Sequence, residues 1–287
     1  MKAVKKGLIA ISMALVVLLI AGGAVFMFGM KEEILKENYY LEPGSLLDVN
    51  NKRGTITITG WKQDYIEIIA VKQSVLGLFF DQVSIEVIDE ERFAVSTKYC
   101  TSMSQGVGVD YSIRVPDGVL VSQVNNLAGS INIEHVEGDV IVQTASGSIN
   151  INNVPGSVSA KTSRGAIKIN EAAGFVSAIS ETGNISIREA GGIHKIHTDR
   201  GNILLDVLAI QECLEVSSQS GSITAFLSPG LDAYIEVSTS SGNISHEDLS
   251  PSVIELTSNK LIASIGEGSN KINITTSSGS INLKIMP

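Results

Sequence analysis

GSINIEHVEGDVIVQTASGSININNVPGSVSAKTSRGAIKINEAAGFVSAISETGNISI, residues Gly129 to Ile187, decides the fold. A glycine, a small polar residue, Ile, any residue and an aliphatic recur at Gly129, Gly147, Gly165 and Gly183, each 18 residues after the last. A second glycine falls midway, at Gly138, Gly156 and Gly174. Between glycines the apolar residues alternate, which places every second side chain on one face of a strand. The unit is therefore strand, turn, strand, turn. Two short strands cannot bury an apolar face alone, but identical coils stacked about 4.8 Å apart can, which predicts an all-β, single-stack β-solenoid. In the first coil the inward set is Ile131, Ile133, Val136, Val140 and Val142; in the second it is Ile149, Ile151, Val154, Val158 and Ala160.

Working outward, the motif returns as GTITI at Gly54, GNILL at Gly201, GSITA at Gly221, GNISH at Gly242 and GSINL at Gly279. Gly192 continues the second glycine series. The spacing stretches to 20 and 21 residues after Gly201, and the 37 residues from Gly242 to Gly279 imply a degenerate coil near Leu261. Before Gly129, longer alternating runs at Tyr65–Val71, Val83–Ile88 and Val109–Val115 read as an atypical cap of antiparallel or irregular strands.

Leu8 to Met30 is a run of 23 residues without a charge, long enough as a helix to cross a bilayer core of about 30 Å. Lys2, Lys5 and Lys6 precede it, and Lys31 and Lys36 are mixed with Glu32, Glu33 and Glu37 after it, so the lysine bias predicts a cytoplasmic N-terminus. The rival is a cleaved signal peptide, for which Gly22 and Ala24 are small enough; the run is longer than an ordinary signal core and continues through Phe28. No Cys stands near its end for a lipoprotein anchor. The expected organisation is 1–7 cytoplasmic, 8–30 a transmembrane helix, 31–44 a short helical stalk and linker, 45–128 cap and first coils, and 129–287 the regular solenoid. Once the three leading lysines are set aside, 18 basic residues face 30 acidic ones. That balance excludes a protein that tracks nucleic-acid phosphates.

The opening VNNKRGTITITGWKQDYIEIIA (Val49–Ala70), the middle VDYSIRVPDGVLV (Val109–Val121) and the G-S-I-x-I coils resemble a family of bacterial repeat proteins described as candidate adhesins with a domain of unknown function. The resemblance covers about Leu46 to Met286. It implies a surface-exposed β-solenoid, sometimes encoded beside envelope-stress regulators, and it supplies no catalytic residues.

The residue after each glycine (Thr55, Ser130, Ser148, Ala166, Asn184, Asn202, Ser222, Asn243, Ser280) would align into a polar ladder that fixes the turn. Calcium rolls need paired glycines and recurrent Asp, and here only Asp139 and Asp199 fall near turns. His194 and His197 lie three apart on one strand and face opposite sides, so they cannot share a metal; His194 takes the slot of Val140, Val158 and Val176. No Ser, His and acid set stands out, so no catalytic, cofactor or metal residues are assigned. Cys100 and Cys213 are read as free buried thiols, and Val75–Phe80 (VLGLFF) as a plug at one end of the core, with contact to lipid or a membrane partner as the alternative. Arg164 and Arg200 share one phase two coils apart, with Thr182 between, and form a possible partner-binding edge roughly 10 Å long. The functional expectation is a single-pass, extracytoplasmic adhesin-like or envelope-interaction module with no catalysis. Its alternatives are an accessory component of an envelope-stress response and a polysaccharide-active β-helix enzyme, which would need paired carboxylates that do not recur.

Overall fold

The computed structural model describes residues 7–9, 19–21, 24–26, 29–210, 213–247 and 253–286. It is all-β, and the chain divides into two compact units, Met1–Val136 and Glu137–Pro287.

In the second unit each coil contributes one strand to each of two walls. One wall stacks Ile149–Val154 on the first half of Ile167–Thr182, then on Ile185–Arg200 and Ile203–Val207, all parallel, with Ile149↔Ile167, Ile167↔Ile185 and Ile185↔Ile203 in register. The other stacks Val140–Ser146 on Val158–Arg164 and continues upward, pairing Val140↔Val158 and Val158↔Val176. The 18-residue step of the sequence is thus the parallel register itself. All ten residues named as inward in the first two coils are buried.

The glycine spine shows why the motif tolerates no other residue there. Gly147, Gly165, Gly183 and Gly201 have φ near +150° (153°, 151°, 157° and 154°). A Cβ on Gly165, Gly183 or Gly201 would overlap the carbonyl oxygen of the glycine one coil below. Three residues before each glycine stands a buried hydroxyl whose Oγ donates to the glycine carbonyl of the preceding coil. Thr162 bonds Gly147 at 3.1 Å, Ser180 bonds Gly165 at 3.1 Å and Thr198 bonds Gly183 at 3.1 Å. The polar residue after the glycine also links coils, for Asn184 Oδ1 accepts from the Asn202 N–H at 2.8 Å, and Asn202 Oδ1 from Ser222 at 2.9 Å.

Beyond Gly201 the stacking order departs from chain order. Cys213–Ser220 and Ile223–Leu227 pair with the last strands of the chain, Asn270–Ser278 and Ile281–Ile285, and these in turn pair with Ala233–Ser241 and Ile244–Glu247. The C-terminal coil is therefore slotted between two earlier coils, and the Gly279 carbonyl takes the place of a sequential neighbour beneath Gly242. Lys260–Ile265, around Leu261, is not a degenerate coil: it runs antiparallel to Ala233–Ser241 and closes the wall with Val253–Leu256.

The first unit repeats this device. Leu46–Arg53 lies between Leu120–Ala128 and Phe93–Tyr99, and Ile56–Trp61 between Ile131–Glu134 and Gly108–Pro116, all parallel. Antiparallel strands finish each wall: Ile66–Val75 against Gly108–Pro116, and Val83–Asp89 against Phe93–Tyr99. The longer alternating runs of this unit are strands. The expected helical stalk is not a helix, because Met30–Tyr39 is a strand paired antiparallel along its whole length with Ile66–Val75. A Glu32–Lys36 helical pair contributes only a few tenths of a kcal/mol, whereas pairing satisfies the main chain of the otherwise open edge of Ile66–Val75. Inside this unit Thr97 Oγ1 joins Asn51 Oδ1 at 2.9 Å and the Tyr111 hydroxyl at 2.7 Å in a buried polar chain.

Most of the expected membrane helix Leu8–Met30 lies outside the described residues. Its described pieces, within Gly7–Ile9, Leu19–Ala21 and Ala24–Phe26, are short and extended, Gly7–Ile9 pairing with Ile34–Lys36. Among the described residues no helix is long and apolar enough to cross a membrane. The plug expectation for Val75–Phe80 fails, since Val75, Leu76 and Leu78 are 47%, 52% and 51% exposed.

Candidate functional site

The second unit carries its outward chemistry on the wall formed by Val158–Arg164, the second half of Ile167–Thr182, the second half of Ile185–Arg200, and Cys213–Ser220. At the end of these strands the register is Arg164↔Thr182↔Arg200↔Ser220, which puts the two arginines two coils apart, about 10 Å along the stack. Both are exposed. The acids one residue earlier, Glu181 and Asp199, already have partners. Glu181 Oε1 accepts from Ser163 Oγ at 3.1 Å, while Asp199 Oδ1 accepts from Gln219 Nε2 at 3.0 Å and lies 3.1 Å from His197 Nε2. The edge thus presents guanidinium groups above carboxylates that are engaged within the wall.

His197 extends this network, its Nδ1 lying 2.7 Å from Ser217 Oγ on the next coil. A hydrogen-bonded series Ser217–His197–Asp199 was not anticipated, because the lengthened step of 20 residues between His197 and Ser217 hides it. Its geometry suits a link between coils. Cys213–Ser220 is paired on both sides, so its main-chain N–H groups serve the two ladders and none is left to stabilise an oxyanion beside Ser217.

At the other end of the same strands lies a groove of about 350 Å³ lined by Asp139, Ile141, Ser159, Phe175, Ser177 and His194, among others. Phe175 and Ile141 are 40% and 39% exposed. The Phe175 ring lies over Gly192 and fills the space where that residue would carry a Cβ. His194 does not occupy the valine slot. The buried partner of Val176 is Ile193, and His194 is a one-residue bulge on the outer face. The turn before it is one residue shorter, so the two irregularities cancel and the 18-residue spacing conceals both.

Both cysteines are free; Cys100 is exposed and Cys213 half-buried, against the expectation that both are buried. Among the described residues no group of His, Cys, Asp and Glu could hold a metal ion.

Stacked parallel coils in two walls, finished by antiparallel strands, define an all-β, solenoid-like protein. The sequence pattern of the Toastrack DUF4097 family matches residues 45–284, and the chain belongs to that family. The crystal structure of a candidate adhesin from Bacteroides fragilis is similar with a TM-score of 0.53 at 12% identity, over 88% of this chain and 97% of that one. A candidate adhesin from Parabacteroides distasonis gives 0.43 at 10% identity, over 87% and 96%. Among curated proteins none matches. At 12% identity the likeness to the Bacteroides fragilis protein is one of fold.

Proposed function

We propose that the chain is a membrane-anchored, extracytoplasmic binding module of adhesin type that performs no catalysis, and that Arg164 and Arg200 contact an anionic envelope component. The observation that carries this reading is the division of labour on the second unit. The hydroxyls three residues before the glycines and the asparagines after them link coil to coil, while the aligned arginines stand exposed beside acids that are already bonded.

Anchoring is supported by the uncharged run Leu8–Met30 and by the lysines before it. In lipid a helix satisfies its main-chain groups internally, and an uncharged run of this length is long enough to cross as one. Protease added to spheroplasts should digest the chain after Lys31 and spare Met1–Lys6; protection of the C-terminal region would defeat this orientation. For the edge, Arg164→Ala combined with Arg200→Ala should weaken capture of envelope fractions about tenfold at low salt without lowering Tm, and added salt should mimic the double substitution. Unchanged binding would remove the edge from consideration.

A further inference from the structure

We propose that the Val75–Phe80 turn is a lipid-docking element that inserts into the outer face of the bilayer in which Leu8–Met30 is anchored. The inference rests on the anchored reading above. Its first support is continuity. The last residue of the apolar run, Met30, is also the first residue of the Met30–Tyr39 strand, and it sits opposite Val75. The Leu76 N–H donates to the Gly29 carbonyl at 2.7 Å. No linker separates the run from the folded unit, so a bilayer that holds Leu8–Met30 meets this turn first.

The tip itself is built to be presented. Val75, Leu76 and Leu78 are each about half exposed on one short turn, a clustering of large apolar groups that marks a contact surface rather than scattered exposure. Leu76 and Phe79 hold φ of 60° and 67°, a left-handed backbone that bulky residues adopt only under constraint. The constraint is visible: Ser74 Oγ donates to the Leu78 carbonyl at 3.0 Å, and Lys72 Nζ donates to the Phe80 carbonyl at 3.1 Å while pairing with Glu33 at 2.9 Å. The turn is thus pinned from below with its apolar residues outward. Lys31 and Asp81 are the exposed charges at its rim, and the Lys31 stem lies against Gly77, an arrangement that lets the ammonium reach lipid phosphates while the stem stays apolar.

The chain supplies its own control. Its single Trp, Trp61, donates from Nε1 to the Tyr65 carbonyl at the far end of the Ile66–Val75 strand, roughly 30 Å from the tip. The full chain is reconstituted into phosphatidylcholine–phosphatidylglycerol nanodiscs with and without acyl-chain bromination, which quenches tryptophan on contact. Wild-type emission should be unchanged by bromine, while Leu78→Trp, and separately Leu76→Trp, should add a component that loses roughly half or more of its intensity, as expected for insertion about 5–10 Å deep. Carbonate extraction of native membranes runs in parallel. Retention of the chain in the bilayer without quenching at either position overturns the docking and leaves the anchor standing. Quenching of Trp61 to the same extent overturns the tip as the contact. Release of the chain by carbonate overturns the anchored reading and the docking with it.

Discussion

Thr162, Ser180 and Thr198 do at the scale of one residue what the glycines make possible: each hydroxyl satisfies a carbonyl that the tight approach of two coils would otherwise leave short of a donor. Thr162→Val, which keeps the shape and loses the donor, should cost about 1 to 2 kcal/mol in chemical denaturation, and Thr162→Ser should cost much less, since Ser180 fills the same slot one coil on. Gly183→Ala should be far worse, by several kcal/mol, because the new Cβ meets backbone on both geometric and conformational grounds. Asp206 gives a pH test. Burial pushes its carboxyl above the ordinary value, with Arg188 pulling it down and Glu189 pushing it up. The folded state therefore holds that proton more tightly than the unfolded chain, so the ionised carboxylate opposes folding above the folded pKa and the opposition vanishes below the unfolded one. Asp206→Asn should raise Tm at neutral pH and leave it unchanged near about pH 3; a gain that persists in acid would assign it to something other than charge.

At the scale of the element, the two walls and their inward residues were legible because alternation states which face a strand buries. The order of stacking was not, and the reason is general to the motif. GSITA at Gly221, GNISH at Gly242 and GSINL at Gly279 present nearly the same edge, so nothing local says which takes which as neighbour, and the C-terminal coil lies between the other two. Met30–Tyr39 is hidden for a related reason: its charges fit a helix weakly, while the residues that pair with it as a strand stand 27 to 45 positions further along the chain. A chain ending at Glu267 should test the insertion. Cys213–Ser220 and Ala233–Ser241 would each lose a flanking strand, so their amide protection should collapse in hydrogen exchange while Ile149–Val154 and Val158–Arg164 stay protected. Uniform protection in the truncated chain would contradict the stacking order.

At the scale of the whole molecule, the proposed place at the envelope rests on the apolar run and its flanking lysines, and the proposed ligand contact on two arginines. The Arg164–Arg200 edge could be read from the sequence because both residues keep the 18-residue phase. The Phe175 groove and the Ser217–His197–Asp199 series could not, since one depends on a cancelling pair of irregularities and the other on a lengthened coil. The slotted C-terminal coil also governs how such a protein can change length over evolutionary time. Copies of the repeat added after Met286 would find their docking place already taken and the wall beside it closed by the Lys260–Ile265 strand. Duplications of one unit between Gly147 and Gly201, where neighbours in the chain are neighbours in the stack, would meet identical surfaces above and below. Lengthening by gene duplication is thereby confined to the interior of the chain.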